Sequence, residues 1–176
     1  MGRIVFGILS LSQHLEELAH SPQRYRPAAC PHCGLKAPRA HGVYYRKADR
    51  QGQLNPVPLP RFRCAGCQRT CSRLPQCLSP RRWHDWGTQQ QVLEVLLVGG
   101  SQRAAADAVG IARRTVGRWW SWLQGCGERF RFHLASRFPE WSRSGEDLRT
   151  SLRAVLLAQP LSEAMAWLDH DGVVVP

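Results

Sequence analysis

The chain has 176 residues and carries 24 Lys and Arg against 13 Asp and Glu, a formal net charge of +11. That length allows one or two small domains, and neither half is large enough to hold a deep catalytic cleft of its own. No run approaches the ~20 apolar residues of a membrane span, and the start lacks the pattern of a secretory signal, so the reading is of a cytosolic, reducing location. Residues 1–138 hold 21 of the basic residues and 7 of the acids, a balance of +14, whereas residues 139–176 hold 3 and 6, a balance of −3. Lys occurs only at 36 and 47, and Arg suits bidentate contacts to phosphate and guanine. GC-rich coding also enriches Arg, so the polarised distribution carries the inference: this is the electrostatic footprint of nucleic-acid binding.

In chain order, Ile4 to Leu9 is a short apolar, strand-like opening. It runs into a helix over Gln13-His-Leu-Glu-Glu-Leu18 that Ser12 is expected to cap. Two Cys-x-x-Cys knuckles follow, Cys30-Pro-His-Cys33-Gly34 and Cys64-Ala-Gly-Cys67. Four thiolates at that spacing suit one tetrahedral zinc with Zn–S bonds of ~2.3 Å and no open position, a structural site rather than a catalytic one. Between the knuckles, Gly42-Val-Tyr-Tyr-Arg-Lys47 reads as a strand, residues 49–55 as the turn, and Val57 to Arg63 as a half-buried return strand. Pro58 and Pro60 then belong on an edge, where a missing N–H does no harm. The gap of 30 residues from Gly34 to Arg63 exceeds the usual 15 to 20, so the hairpin must be long. A disulfide pair stands as the alternative for the knuckles, and His32 and His41 as replacement ligands. Tyr44, Tyr45 and Phe62 are expected to stack across the hairpin, and Cys77 and Cys126 to be small apolar residues.

Residues 78–87 look like a linker, in which Pro80 prevents helix continuation, Arg81, Arg82 and His84 stay solvated, and Trp83 and Trp86 dock on a neighbour. Thr88 is expected to cap an apolar helix with Val92, Leu93, Val95, Leu96 and Leu97 that Gly99-Gly100 ends. Ser101 caps a short alanine-rich helix from Gln102 to Val109, Gly110 turns the chain, and a third helix starts near Ala112 and runs through Leu123. Short helix, glycine turn, then Val116, Trp119, Trp120 and Leu123 at spacings of three and four is a helix-turn-helix pattern. The opposite face of the third helix carries Arg113, Arg114, Gly117, Arg118 and Ser121, placed for the major groove, with Thr115 placed for a phosphate. Three tryptophans, 119, 120 and 122, cannot all face one core, which leaves Trp122 for solvent or the C-terminal segment. In that segment Leu148, Leu152, Val155 and Leu156 form one helical stripe, Pro160 interrupts, and Leu161 to Leu168 form a second helix; Asp169-His-Asp-Gly reads as a turn.

These motifs together resemble the N-terminal zinc-ribbon and helix-turn-helix region of bacterial insertion-sequence transposases and their short, transposase-associated relatives. The resemblance rests on Cys30-Pro-His-Cys33-Gly34, His41-Gly-Val-Tyr-Tyr-Arg46, and Pro60-Arg-Phe-Arg-Cys64-Ala-Gly-Cys67-Gln-Arg-Thr70. It continues through Ser72-Arg-Leu-Pro75, Gly100-Ser-Gln-Arg-Ala-Ala-Ala and Thr115-Val-Gly-Arg-Trp119, covering about residues 27–123. Cys71 departs from it, since that position is commonly aromatic; it is a buried substitute or an additional ligand. The resemblance also implies an RNase H-like domain with three carboxylates on two metals, for which the 53 residues after Leu123 are too few. Glu128, Glu140, Glu146, Asp147, Glu163, Asp169 and Asp171 occupy no recognisable catalytic frame.

The expected fold class is therefore α+β: an N-terminal strand and helix extension (1–26), a zinc ribbon (27–77), a linker (78–87), a helix-turn-helix (88–124) and a C-terminal helical segment (125–176). The expected function is non-catalytic, sequence-specific recognition of double-stranded DNA by a cytoplasmic, nucleoid-associated protein of a mobile element. It would hold one structural Zn²⁺ at Cys30, Cys33, Cys64 and Cys67, with a transposase or a second copy as further partner and no membrane or small-molecule substrate. Base readout falls to Arg113, Arg114 and Arg118 with Ser121, and phosphate contacts to Thr115, Arg61, Arg63, Arg69, Arg73, Arg81 and Arg82. Two other readings stay open: an interaction subunit that binds a transposase or RNA polymerase through the ribbon, and a truncated transposase remnant.

Overall fold

The computed structural model describes residues 2–48, 54–80, 84–137, 147–173 and 175. Helices and small sheets combine in an α+β fold, as the sequence implies, and the chain divides into two compact units, Met1–Asp85 and Trp86–Val173.

In the first unit, β1 (Ile4–Val5) pairs in parallel with β5 (Leu74–Pro75), in the register Ile4 to Leu74 and Val5 to Pro75. Helix α1 (Leu11–His20) begins one residue after Ser10, whose Oγ accepts the Gln13 N–H at 3.1 Å. Ser10, not Ser12, is the cap. The physical reason is reciprocity: the Gln13 side chain reaches back to the Leu9 N–H at 2.8 Å, so Ser10-x-x-Gln13 works as a close variant of a capping box. A short 3₁₀ turn, Pro22–Tyr25, follows.

Strands β2 (Arg39–Arg46), β3 (Val57–Arg63) and β4 (Thr70–Cys71) form an antiparallel sheet in the order β2-β3-β4. β3 has the expected bounds, while β2 starts three residues before the expected Gly42. An irregularity between Ala40 and Val43 interrupts the β2–β3 register there, and Gly42 takes φ +86°, a value that favours glycine. Although β3 is the middle strand, β4 covers only its Phe62 and Arg63. Pro58 and Pro60 therefore lie along a locally open stretch, as their missing N–H groups require. The expected turn, residues 49–55, lies mostly outside the described residues.

Two small cores stabilise this unit. Val57 and Leu59 pack with Ala48, Leu74 and Leu78, and Phe62 packs with Val5, Ile8 and Tyr25. Leu78 thus belongs to a core although the sequence reads as linker from there. His14 joins α1 to the open side of β3: its Nε2 donates to the Pro58 carbonyl at 2.8 Å, so its Nδ1 accepts from the Tyr25 hydroxyl at 2.5 Å. Burial holds the His14 pKa below its usual value, offset only in part by the bond to Pro58, so the neutral tautomer these bonds require is favoured.

Among the described residues the regular elements of the second unit are all helices: α2 (Trp86–Leu97), α3 (Gln102–Val109), α4 (Arg113–Arg137), α5 (Leu148–Ala158) and α6 (Leu161–His170). α2 starts at Trp86, two residues before the expected Thr88 cap, because buried Trp86 is already part of the helix. α4 does not stop near Leu123. It runs 25 residues, through Gly125 and Gly127, each of which costs an isolated helix ~1 kcal/mol relative to Ala. Gly127 has a packing reason: a Cβ there would come within 2.1 Å of Leu148 Cδ2, so glycine admits α5. α5 and α6 bury Leu152, Val155, Leu161 and Met165 in the same core as Leu93, Leu97, Leu123 and Phe130. Pro160 offers α6 no side-chain cap, and Gln90 Oε1 of α2 accepts the Leu161 N–H instead, at 2.9 Å.

The lowered His14 pKa makes stability depend on pH with a defined sign. Above 6.5 the residue is neutral whether the chain is folded or not, and its contribution is complete. As pH falls below 6.5 the unfolded chain takes up the proton first, and the contribution declines toward the lowered folded pKa. A His14→Gln variant is expected to be less stable than wild type by ~1 to 3 kcal/mol at neutral pH. The gap should narrow as pH is lowered through 6.5; a gap that stays constant in denaturant titrations across that range contradicts the assignment.

Candidate metal centre and nucleic-acid interface

The two knuckles have the same backbone. In the first, the Cys30 N–H bonds the Leu35 carbonyl at 2.8 Å and the Gly34 N–H bonds the Cys30 carbonyl at 2.9 Å. In the second, Cys64 N–H bonds Arg69 O at 3.0 Å and Gln68 N–H bonds Cys64 O at 3.1 Å. The fourth residue after each leading cysteine takes the left-handed conformation, Gly34 at φ +76° and Gln68 at φ +59°. Glycine advertises that turn in the first knuckle, and nothing advertises it in the second. Each turn points its two thiols the same way, and the His32 N–H further orients Cys30 Sγ at 3.4 Å.

The β2–β3 hairpin returns one knuckle to the other. Cys30 Sγ lies 3.6 Å from Cys67 Sγ, Cys33 Sγ lies 3.5 Å from Cys64 Sγ, and all four sulfurs fall within 4.8 Å of one another. A disulfide requires about 2.05 Å, and all seven cysteines are free. A tetrahedron with ~2.3 Å metal–sulfur bonds has edges of about 3.8 Å, close to the two shortest separations. The four sequence-predicted cysteines therefore fit a single thiolate-bound metal. Among the described residues they are the one group of potential ligands that gathers this way. His32 and His41 are exposed and outside it. Cys71 is not a fifth member: it faces the Val5, Ile8, Tyr25 and Phe62 core, and burial raises its thiol pKa. Cys77 packs beside Val57 and Leu59, where burial pushes its thiol up to about 11.

In the second unit, Ser101 Oγ caps α3 by accepting the Ala104 N–H at 3.0 Å, and Gly110 ends it at φ +64°. The Ile111 N–H then bonds the Ala106 carbonyl at 3.1 Å, closing the turn as in a Schellman motif. Ala105 and Ala106 of α3 are buried, and the buried face at the start of α4 is Val116, Trp119, Trp120 and Leu123. Arg113, Arg114, Arg118 and Ser121 are exposed together around Gly117, and Thr115 accepts from Arg118 Nη2 at 3.4 Å. These are the residues expected from sequence.

Gln102 completes that shallow surface and was not foreseen. Its Oε1 would lie 3.0 Å from a Cβ at Gly117. The first residue of α3 meets the second turn of α4 only through the turn geometry, which sequence spacing does not reveal. Trp122 is half-buried with its ring 5.3 Å from Phe130 of the C-terminal segment, and the Arg149 guanidinium of that segment also lies 5.3 Å from the Trp120 ring.

The other expected contacts divide. Arg61, Arg63 and Arg69 are exposed. Arg73 instead donates to the Ile4 carbonyl at 2.9 Å and the Arg24 carbonyl at 3.3 Å, which ties β5 to β1 and removes it from the phosphate set. Arg81, Arg82 and Trp83 lie outside the described residues, as do Glu140 and Glu146. Of the remaining acids, Asp147 caps α5 through the Thr150 N–H, a bond that lowers its pKa, and Glu128 pairs with Arg131 at 2.8 Å. Asp171 lies 3.6 Å from His133, and Asp169 is buried near the end of α6. No helix among the described residues is long and apolar enough to cross a membrane.

Residues 30–119 match the family model described as a domain of unknown function, DUF6431. The match covers just over half of the 176 residues, and the chain belongs to this family. It starts at the first cysteine of the cluster and ends at Trp119, so it takes in all four thiols and the α3–turn–α4 surface except Ser121. No curated protein and no solved structure matches the chain.

Purified protein is expected to bind one metal ion per chain. Cys64→Ser should lower that stoichiometry and the melting temperature of the first unit, whereas Cys71→Ser should keep the metal. Elemental analysis of both variants decides the ligand set; full metal retention by Cys64→Ser would overturn it.

Proposed function

We propose that this protein is a sequence-specific reader of double-stranded DNA, in which α3 and α4 form a helix-turn-helix and a structural zinc holds a ribbon on the four cysteines. One observation carries the reading: Arg113, Arg114, Arg118 and Ser121 share an open surface around Gly117, which has no side chain of its own and against which the Gln102 amide lies. Arg takes guanine O6 and N7 together, and Gln takes adenine N6 and N7 together, so the surface carries chemistry for both purines. Thr115 sits in the first turn of α4, where helix N–H groups favour phosphate. The excess of positive charge in residues 1–138 supports the same ligand class. Four thiolates with no further ligand fit a closed structural zinc site that contributes to folding rather than to chemistry.

The association with a mobile element rests on the motif resemblance to the ribbon and helix-turn-helix region of insertion-sequence transposases. In this reading the protein recognises a terminal repeat or operator and does not cut it.

The test is a competition titration of zinc-loaded protein on DNA flanking its own gene, with excess unrelated duplex. Resistance to the competitor of ~10³ or more supports a specific reader, and equal competition refutes it. Arg118→Ala is expected to cost ~1 to 3 kcal/mol on the preferred site and to relax preference at one position. Equal losses on preferred and random DNA would remove Arg118 from the groove.

A further inference from the structure

From the strand register we infer a separate phosphodiester-binding site on the cysteine-bearing hairpin, formed by Arg39, Arg61 and Arg63. Arg39 on β2 lies directly opposite Arg63 on β3, and Arg61 lies two residues before Arg63, hence on the same face. The Arg61 guanidinium rests 5.1 Å from the centre of the Tyr44 ring, which holds it in place. All three arginines are exposed, and among the described residues no carboxylate pairs with any of them.

Like charges directly opposite in an antiparallel pair repel and destabilise it. Here Arg63 directly precedes Cys64, so a metal held by the four thiols would keep that end of the hairpin in register. Across from Arg61 the strand irregularity leaves two residues, His41 and Gly42, and no carboxylate stands at that position. Three uncompensated guanidiniums in fixed positions suit an anion that presents several oxygens and repeats its charge along a line. A nucleic-acid backbone does both, and Arg binds phosphate oxygens bidentately. The site also separates these residues from Arg26, Arg46 and Arg73, which donate to main-chain carbonyls within the unit.

The site takes its ligand class from the DNA-binding reading but does not depend on α4. It is tested with the full zinc-loaded chain, comparing wild type, an Arg39→Gln/Arg63→Gln double variant, and an Arg153→Gln control at an exposed position on α5 that belongs to neither site. Binding to a mixed-sequence duplex is measured from about 50 to about 200 mM salt. The double variant is expected to lose roughly tenfold in affinity, equally on preferred and mixed sequences, with the slope of log K against log salt smaller by about 2. Without DNA it should melt no lower than wild type, because a repulsion has been removed.

An unchanged salt slope would overturn the site. So would a lower DNA-free melting temperature whose affinity loss is shared by the charge-preserving Arg39→Lys/Arg63→Lys variant, since the residues would then be structural. Competition by polyglutamate as effective as by DNA would overturn the phosphodiester assignment. If wild type shows no sequence preference while the double variant still flattens the slope, the α4 reading fails and this site stands. A flat response of the double variant beside a clear Arg118→Ala effect gives the reverse.

Discussion

The convergence of four thiols is the constraint on which the first unit depends. Each knuckle orders its own pair locally, through two main-chain hydrogen bonds and one left-handed residue. Bringing the pairs together joins Cys30 to Cys67 and Cys33 to Cys64, 37 and 31 residues apart in sequence. Among the described residues, neither of the two small cores contains more than five buried residues, which is little to offset the entropy of closing such a loop. Metal binding would act on the folded state alone and so add its free energy to folding. It would also select the register. A one-residue slip between β2 and β3 would turn Leu59 and Val57 outward and separate the thiols together, so packing and ligation favour one alignment.

What was legible in the sequence follows from how local each signal is. The cysteine spacing, the bounds of β3, the Ser101 cap and the Gly110 turn depend on contacts within a few residues, and composition alone exposes them. Ser10 belongs to the same class, since Ser10-x-x-Gln13 is a capping-box pattern in plain sight, but the neighbouring Ser12 competed with it. Gln68 shows the limit of this approach. It adopts the conformation that Gly34 takes in the first knuckle, yet nothing in its identity marks the position.

Signals that fail are those settled by tertiary packing. Gly125 and Gly127 weaken any isolated helix, so the sequence suggests that α4 ends near Leu123. In the folded unit Gly127 is where Leu148 of α5 comes closest, and the packing it permits outweighs the propensity it lacks. The same packing changes the standing of the C-terminal helices. Leu152, Val155, Leu161 and Met165 supply part of the core on which α2 and α4 rest, and through that core they position the exposed arginines at the start of α4. Gln102 was invisible for a related reason, since its neighbour Gly117 is fifteen positions along the chain.

Arginine is the residue type for which sequence and structure are most complementary here. Counting Arg identifies a basic segment but cannot divide it by role. The structure divides it by the partner of each guanidinium. Arg26, Arg46 and Arg73 donate to main-chain carbonyls, which replaces hydration with protein contacts and makes them part of the fold. Arg39, Arg61 and Arg63 have no carbonyl or carboxylate partner among the described residues, and Arg113 and Arg114 are exposed in the first turn of α4, where the helix dipole disfavours a cation. Arginines held against their own electrostatic preference are not explained by stability. They mark the surfaces where an anion would lower the free energy of the folded protein, one beside the thiol cluster and one on a helix that the core of the second unit holds in place.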